Sequence, residues 1–379
     1  MLVDVTVGRF IRMEWAPLDR QTQSKRAMQI HVMKFGGSSF ATDEQFHRIA
    51  RYLRKRTAGG SKRVVVVSGM PGATEVLRAR CLALNPAPSG GTIDCLVPLA
   101  DTLCAAYVRA VVERQGARVT TLSGFQLGLL TDSNFSRARI LGFEPTPLRT
   151  ALATHDVVVV PGGQARDARW RQTWMGKNSS DLSAVAVAAA LGVKQCELYS
   201  DVCGIYSADP YLISEAQLIP ELSYDSAIAM ALSGARVIHH GSVSHARSHG
   251  VEILCRLNGG DYRVGTRIGA GGSPAAVVLD HRSVVLEFSS RAELERAAAR
   301  LRGIEVPVVE LSQEGEARLV VTCGFFDVER FLREQKLRPR MLERHLVTEL
   351  RRDGTILRHL PEREAALEFS QRLHEQLHP

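Results

Sequence analysis

The stretch Gln29-Ile30-His31-Val32-Met33-Lys34-Phe35-Gly36-Gly37-Ser38-Ser39 decides how this chain is read. A strand-like run ends on a lysine and two glycines. A glycine pair lets the backbone approach anionic oxygens with no Cβ in the way, the N–H groups that follow are unpaired donors, and the lysine supplies a point charge. The turn suits a nucleotide phosphate. Taken alone, a Lys-x-Gly-Gly turn is more often the ordinary connection from a strand to a helix.

Around it, short β-branched runs alternate with helical patterns. Strands are expected at 64–68, 118–121, 157–160, 196–199 and 251–256, and helices at 98–115, 181–191 and 224–233. Such alternation predicts an α/β fold, a mainly parallel sheet sandwiched by helices, with the lysine turn at the carboxyl end of a strand, where open sheets bind ligands. After the Gly-rich stretch 259–272 the rhythm changes. A strand over 276–288, a helix over 291–301, strands over 306–311 and 318–322, a helix over 326–335 and strand pieces near 345–358 follow in turn. That order, βαββαβ, predicts a small α+β domain. Leu367, Phe369, Leu373 and Leu377 predict a terminal helix. The expected organisation is an extension over 1–27, an α/β domain over 28–272, an α+β domain over 273–358 and a helix within 359–379.

At 379 residues the chain can build two domains without disulfides or a structural metal. Its seven cysteines include no C-x-x-C pair, which predicts reduced thiols in the cytoplasm and no zinc site. No run of eighteen apolar residues and no basic-then-apolar leader order is present, so neither membrane nor export is expected. The net charge of +8 comes from arginines interleaved with Glu and Asp, as over 291–302 and 351–363. Solvated helix faces explain that pattern better than nucleic-acid binding.

Four more constellations stand out. Ser68-Gly69-Met70-Pro71-Gly72-Ala73-Thr74 follows a strand and reads as a ligand loop or as a plain connector with local hydroxyl bonds. Met175-Gly176-Lys177-Asn178-Ser179-Ser180-Asp181 precedes an alanine-rich helix, with Ser180 and Asp181 where an N-cap belongs. A lysine and free N–H groups there would draw a phosphoryl group or a carboxylate. Tyr199-Ser200-Asp201-Val202-Cys203-Gly204-Ile205-Tyr206-Ser207-Ala208-Asp209-Pro210 is a polar turn, either a nucleotide hairpin or a capped loop. Gly234-Ala235-Arg236 ends a helix with a cation. His239-His240 reads as packing or surface, since adjacent side chains rarely converge on a metal. No paired-carboxylate glycosidase, G-x-S-x-G or H-E-x-x-H pattern supports a hydrolase.

Taken in order over roughly residues 29–330, these turns resemble the aspartate kinases of the amino-acid kinase family. Lys34–Ser39 resembles the family's KFGG(T/S)S, 68–74 its SAMSGVT turn, and 176–181 its GRGGSD. Residues 199–210 resemble YTDVDGVYTADP and 234–239 GAKVLHP. The resemblance implies an enzyme that moves the γ-phosphoryl group of ATP to the side-chain carboxylate of L-aspartate, giving 4-phospho-L-aspartate, with Mg²⁺ held mainly through the ATP phosphates and no protein metal site. It implies Lys34 and Asp181 as catalytic residues. Gly36, Gly37, Ser38, Ser200, Asp201, Tyr206, Asp209 and Arg236 would bind ATP, and Ser68, Thr74, Asp101, Lys177 and Ser180 the amino acid. The C-terminal βαββαβ unit resembles an ACT domain, which implies a homodimer.

This chain departs from the family around the amino acid. Ala100-Asp101-Thr102-Leu103-Cys104 stands for GE-x-x-S, so the acid is one methylene shorter. Lys177 replaces an arginine and its bidentate fork. Asn178 and Ser179 replace glycines, which predicts strain or a reshaped turn at any positive φ. Two further readings stay open: a kinase of another acidic amino acid or analogue, and a non-catalytic ATP-binding regulatory homologue.

Overall fold

The structure is a computed structural model that describes residues 29–378 except 236–237, 314–315 and 323–325. The expected extension over 1–27 and Arg236 lie outside the described residues. In chain order the first part carries strands β1 (Ile30–Phe35), β2 (Lys62–Val67), β3 (Val119–Thr121), β4 (Leu129–Thr131), β5 (Ile140–Phe143), β6 (Val157–Pro161), β7 (Gln164–Arg166), β8 (Gln172–Trp174), β9 (Gln195–Ser200), β10 (Glu221–Ser223), β11 (Glu252–Leu257) and β12 (Val264–Gly269). Its helices are α1 (Asp43–Arg56), α2 (Ala73–Leu84), α3 (Gly90–Leu96), α4 (Leu99–Arg114), α5 (Thr146–Thr154), α6 (Ser180–Leu191), α7 (Tyr224–Leu232) and α8 (His240–His249).

Eight strands form one sheet in the order β10–β12–β11–β9–β1–β2–β6–β3. All neighbours pair in parallel except β11 with β12. The valines of β2 and β6 are wholly buried, as strands covered on both faces must be. Alternation along β1 sends Val32 into the core shared with α6 and sends Met33 and Phe35 into the core shared with α1 and α4. Lys34, one residue from each, falls on the α6 side, opposite Val66 of β2 and Leu198 of β9. The chain leaves β1 toward β2 and reaches β9 on the other side only later, so the lysine turn stands where strand order reverses. A smaller sheet, β5–β4–β7–β8, flanks this end. The segment Gly90–Arg114 is apolar and long enough to cross a membrane by composition, but it is two helices meeting near Pro98, and Cys104, Ala105, Val108 and Val112 are core residues.

The expected strand over 276–288 is two strands. A turn at Asp280, closed by the Ser283 N–H to the Asp280 carbonyl at 3.0 Å, separates β13 (Ala276–Asp280) from β14 (Val284–Phe288). From β14 the chain runs through α9 (Arg291–Gly303), β15 (Val308–Gln313), β16 (Glu316–Val321), α10 (Val328–Glu334) and β17 (Arg340–Leu342). These give an antiparallel sheet ordered β15–β16–β14–β17, so the βαββαβ unit begins at β14 and ends at β17, a strand the sequence reading did not contain. The pieces near 345–358 are β18 (Leu346–Leu350) and β19 (Ile356–His359), which join β13 in a separate sheet beside the terminal helix α11 (Ala366–Leu377).

Candidate active site

Backbone packing between two glycine turns builds the floor of the site. The Gly36 N–H donates to the Tyr199 carbonyl at 3.1 Å, which ties the end of β1 to β9. A Cβ on Gly37 would stand 2.6 Å from the Gly69 carbonyl oxygen, so the two turns meet backbone to backbone and position 37 must lack a side chain. Gly69 is held in turn from α4: its N–H donates to Asp101 Oδ1 at 2.8 Å.

Over this floor stands the N-terminus of α6. Ser180 and Asp181 are not its cap: Ser179 occupies that place, its hydroxyl donating back to the Gly176 carbonyl at 2.5 Å, and Ser180 and Asp181 are the first two helical residues. A cap hydroxyl would have pointed at the helix's own N–H groups. Inside the first turn the same side chains face outward to the sheet. Ser180 Oγ lies 2.7 Å from Ser68 Oγ, and Asp181 Oδ1 lies 2.6 Å from Lys34 Nζ. The ion pair is nearly buried, with side chains 13% and 9% exposed. Gly162 permits this seating, since a Cβ there would fall 2.4 Å from that of Ser180. A cation on the strand, glycine N–H groups beside it and the positive end of α6 together make a place for transferable negative charge.

Beside the Gly69 turn, burial pushes the Asp101 carboxyl up to about 7, against the opposing pull of the Gly69 N–H and Lys34. Lys177 Nζ pairs with Glu75 Oε1 of α2 at 2.5 Å, and this bond holds the Glu75 carboxyl below its ordinary range. Asn178 takes φ of 65°, a left-handed conformation that asparagine adopts more readily than most residues. Thr74 stands in the first turn of α2.

Around the polar loop after β9 the residues spread further. Ser38 Oγ donates to Asp201 Oδ1 at 3.4 Å, joining the lysine turn to the polar loop. The Ser200 hydroxyl turns onto its own loop, donating to the Val202 carbonyl at 2.9 Å. Tyr206 bridges to Leu218 across a hairpin, and the exposed Asp209 accepts from the Tyr211 N–H at 2.9 Å. Thus Lys34, Gly36, Gly37, Ser38, Ser68, Asp101, Ser180, Asp181 and Asp201 converge, while Asp209 serves its own turn.

Sequence reasoning missed Glu75 and Asp94. Asp94, wholly buried in α3, accepts from the Ser136 N–H and the Trp174 N–H, both at 2.8 Å, and so fastens the small sheet that leads into Gly176 and Lys177. Burial raises its carboxyl to about 6. His239 and His240 stack at 4.8 Å and line a cavity of about 320 Å³ between α8 and this small sheet. Burial lowers His239 to about 4.

The sequence profile of the amino acid kinase family matches residues 29–256. An aspartokinase of Thermus thermophilus is 34% identical over 241 residues, 64% of this chain and 59% of that protein. An aspartokinase of Helicobacter pylori is 35% identical over 237 residues, 62% of this chain and 58% of that one. The chain therefore spans under two thirds of the length of these curated relatives. In fold it is similar to E. coli aspartokinase III solved with aspartate and ADP, with a TM-score of 0.74 at 18% identity, covering 93% of this chain and 100% of that one. The aspartate kinase of Synechocystis superimposes with a TM-score of 0.57 at 25% identity, over 84% of this chain and 59% of that one.

Proposed function

Because the chain belongs to the amino acid kinase family, we propose that it transfers the γ-phosphoryl group of ATP to the side-chain carboxylate of L-aspartate, forming 4-phospho-L-aspartate. The observation that carries this reading is the Lys34–Asp181 pair, 2.6 Å apart, at the point where two glycine turns and the α6 N-terminus meet. A carboxylate is already ionised at neutral pH, so the acceptor needs no general base. The residues need only bring two anions together and neutralise charge as it moves between them. In this reading Lys34 meets the transferring phosphoryl oxygens, oriented by Asp181, while Gly37 and Ser38 offer N–H and hydroxyl donors and Gly36, its own N–H held by the Tyr199 carbonyl, lets the backbone come close. Ser68, Thr74 and Ser180 hold the amino acid, Asp101 its ammonium and Lys177 its carboxylate. Ser200, Asp201, Tyr206, Asp209 and Arg236 flank the nucleotide.

Among the described residues no three His, Cys, Asp or Glu side chains gather as a metal site. Of the acids beside the glycine turns, Asp181 is engaged by Lys34, Asp201 by Ser38 and Asp101 by the Gly69 N–H. This donor set fits Mg²⁺ carried on the ATP phosphates, where the ion supplies further charge neutralisation, rather than a protein-built cage.

A second reading, phosphorylation of another small acidic amino acid, draws support from Lys177, whose ammonium is drawn to Glu75, and from the short Asp101. ADP release with Mg-ATP over a panel of acidic amino acids separates the two. L-Aspartate as best substrate supports the first reading, a better homologue or analogue supports the second, and ATP binding without turnover on any of them refutes both. The βαββαβ unit is read as an ACT-like regulatory domain that pairs two copies through sheet edges. A monomer by light scattering at micromolar concentration contradicts that pairing. The six described cysteines are free thiols, in keeping with a cytoplasmic setting.

A further inference from the structure

The polar loop after β9 folds as a hairpin that is gripped on two sides. On one side Thr266 of β12 accepts from the Ile205 N–H at 2.8 Å and donates to the Ile219 carbonyl at 2.6 Å. On the other side stands Ser207, whose every polar atom is used. Its N–H donates to the Gln217 carbonyl at 2.8 Å and its carbonyl accepts from the Val277 N–H of β13 at 2.7 Å. Its hydroxyl oxygen accepts from the Gln217 N–H at 2.8 Å and lies 2.9 Å from Nε2 of His374, on α11. Ser207 and His374 are each 1% exposed, so no water replaces this contact. His378 stacks on His374 at 4.5 Å and reaches the Ala275 carbonyl at 3.1 Å, which fixes the helix end against β13.

Ser207 lies directly between Tyr206, which bridges to Leu218, and the Ala208-Asp209 turn. Fixing its backbone and hydroxyl therefore fixes the stretch of hairpin that carries both Tyr206 and Asp209. We infer that His374 is a positioning residue for the nucleotide hairpin, holding Ser207 so that Tyr206 and Asp209 meet ATP and making nucleotide affinity depend on the last helix of the chain. This rests on the reading of residues 199–210 as the nucleotide loop. It assigns a role to a helix that the reaction itself does not use. The contact joins residues 167 positions apart.

The test measures the Mg-ATP dissociation constant by calorimetry, with KM for ATP and for L-aspartate, on the full chain and on His374→Ala, Ser207→Ala, their double variant and His374→Gln. Each single alanine variant should weaken Mg-ATP by about fivefold to tenfold, the scale of one buried hydrogen bond, while KM for aspartate moves by less than about twofold. The double variant should be no weaker than either single one, because both remove the same contact. Glutamine, whose amide nitrogen can stand where Nε2 stands, should restore most of the affinity. Unchanged Mg-ATP affinity in both alanine variants overturns the inference, and so do equal losses for both substrates accompanied by a lower urea midpoint. If His374→Ala does not fold, the smaller Ser207→Ala change decides by the same criteria. A wild-type protein that binds no Mg-ATP overturns the kinase reading itself, and this inference with it.

Discussion

Replacing Gly37 by alanine places one methyl group between the two glycine turns. The new Cβ would stand 2.6 Å from the Gly69 carbonyl oxygen, where an ordinary contact begins near 3.4 Å, so one turn must retreat by about 0.8 Å. The obstacle is backbone, and it cannot easily yield. Gly69 is held by the Asp101 carboxylate at 2.8 Å and backed by Ala100, whose Cβ lies 2.9 Å from where a Cβ of Gly69 would be. Overpacking of this kind costs about 1–3 kcal/mol. A displacement approaching 1 Å in a group that aligns reacting atoms lowers the rate by up to about 10²-fold, so kcat should fall by roughly 10- to 100-fold. Gly36→Ala is the matched control. Its Cβ would meet Lys34 Nζ and the Tyr199 carbonyl oxygen at 3.6 Å, an ordinary contact, and its stability should equal that of the wild type. Urea unfolding of both variants and an ADP-release assay on Gly37→Ala supply the comparison. Wild-type stability together with turnover within about twofold of wild type for Gly37→Ala would refute the reasoning.

Three other expectations follow from the same geometry. Asp181→Asn leaves the nearly buried Lys34 ammonium without its partner, so the urea midpoint should drop by the equivalent of about 3–5 kcal/mol and kcat by about 10²-fold; equal activity contradicts the assigned role. The Asp101 carboxyl, raised to about 7, is charged only above that pH, so KM for the amino acid should rise as pH falls through about 7, and Asp101→Asn should flatten the profile. The stability contribution of that same group has the opposite sense, being fullest below the ordinary carboxyl range and lost as pH rises through about 7, which urea midpoints against pH can follow. Asp94→Asn sets an amide against donors that Asp94 now accepts, so stability should fall by about 1–3 kcal/mol, and amide exchange at Ser136 and Trp174 should quicken; unchanged exchange contradicts the clamp.

The central sheet was legible because buried parallel strands read as unbroken β-branched runs, and β2 and β6 are such runs. Lys34, the glycine pair and the start of α6 were legible as turns between period-two and period-3.6 patterns. Their meeting was not, because Lys34 and Asp181 are joined through the sheet rather than along the chain. The small sheet β5–β4–β7–β8 was missed: its strands are three or four residues long, too short to display alternation. Helix α8, HGSVSHARSH, hid for a related reason, since only Ser242, Val243 and Ala246 are buried and two of those are small. Asp94 gave no local sign of its burial, as its partners lie 42 and 80 residues away. The break at Asp280 was in the sequence, since the polar Asp280-His281-Arg282-Ser283 separates Val277–Leu279 from Val284–Leu286, and the two apolar stretches were run together across it.

The most direct test of the central claim is to incubate the protein with Mg-ATP, L-aspartate and hydroxylamine, and to quantify aspartyl hydroxamate against released ADP. Lys34→Ala serves as blank. An acyl phosphate made at the Lys34–Asp181 site predicts hydroxamate in proportion to ADP for the wild type and neither product for Lys34→Ala. ADP release without hydroxamate, or hydroxamate formed equally well by Lys34→Ala, would contradict it.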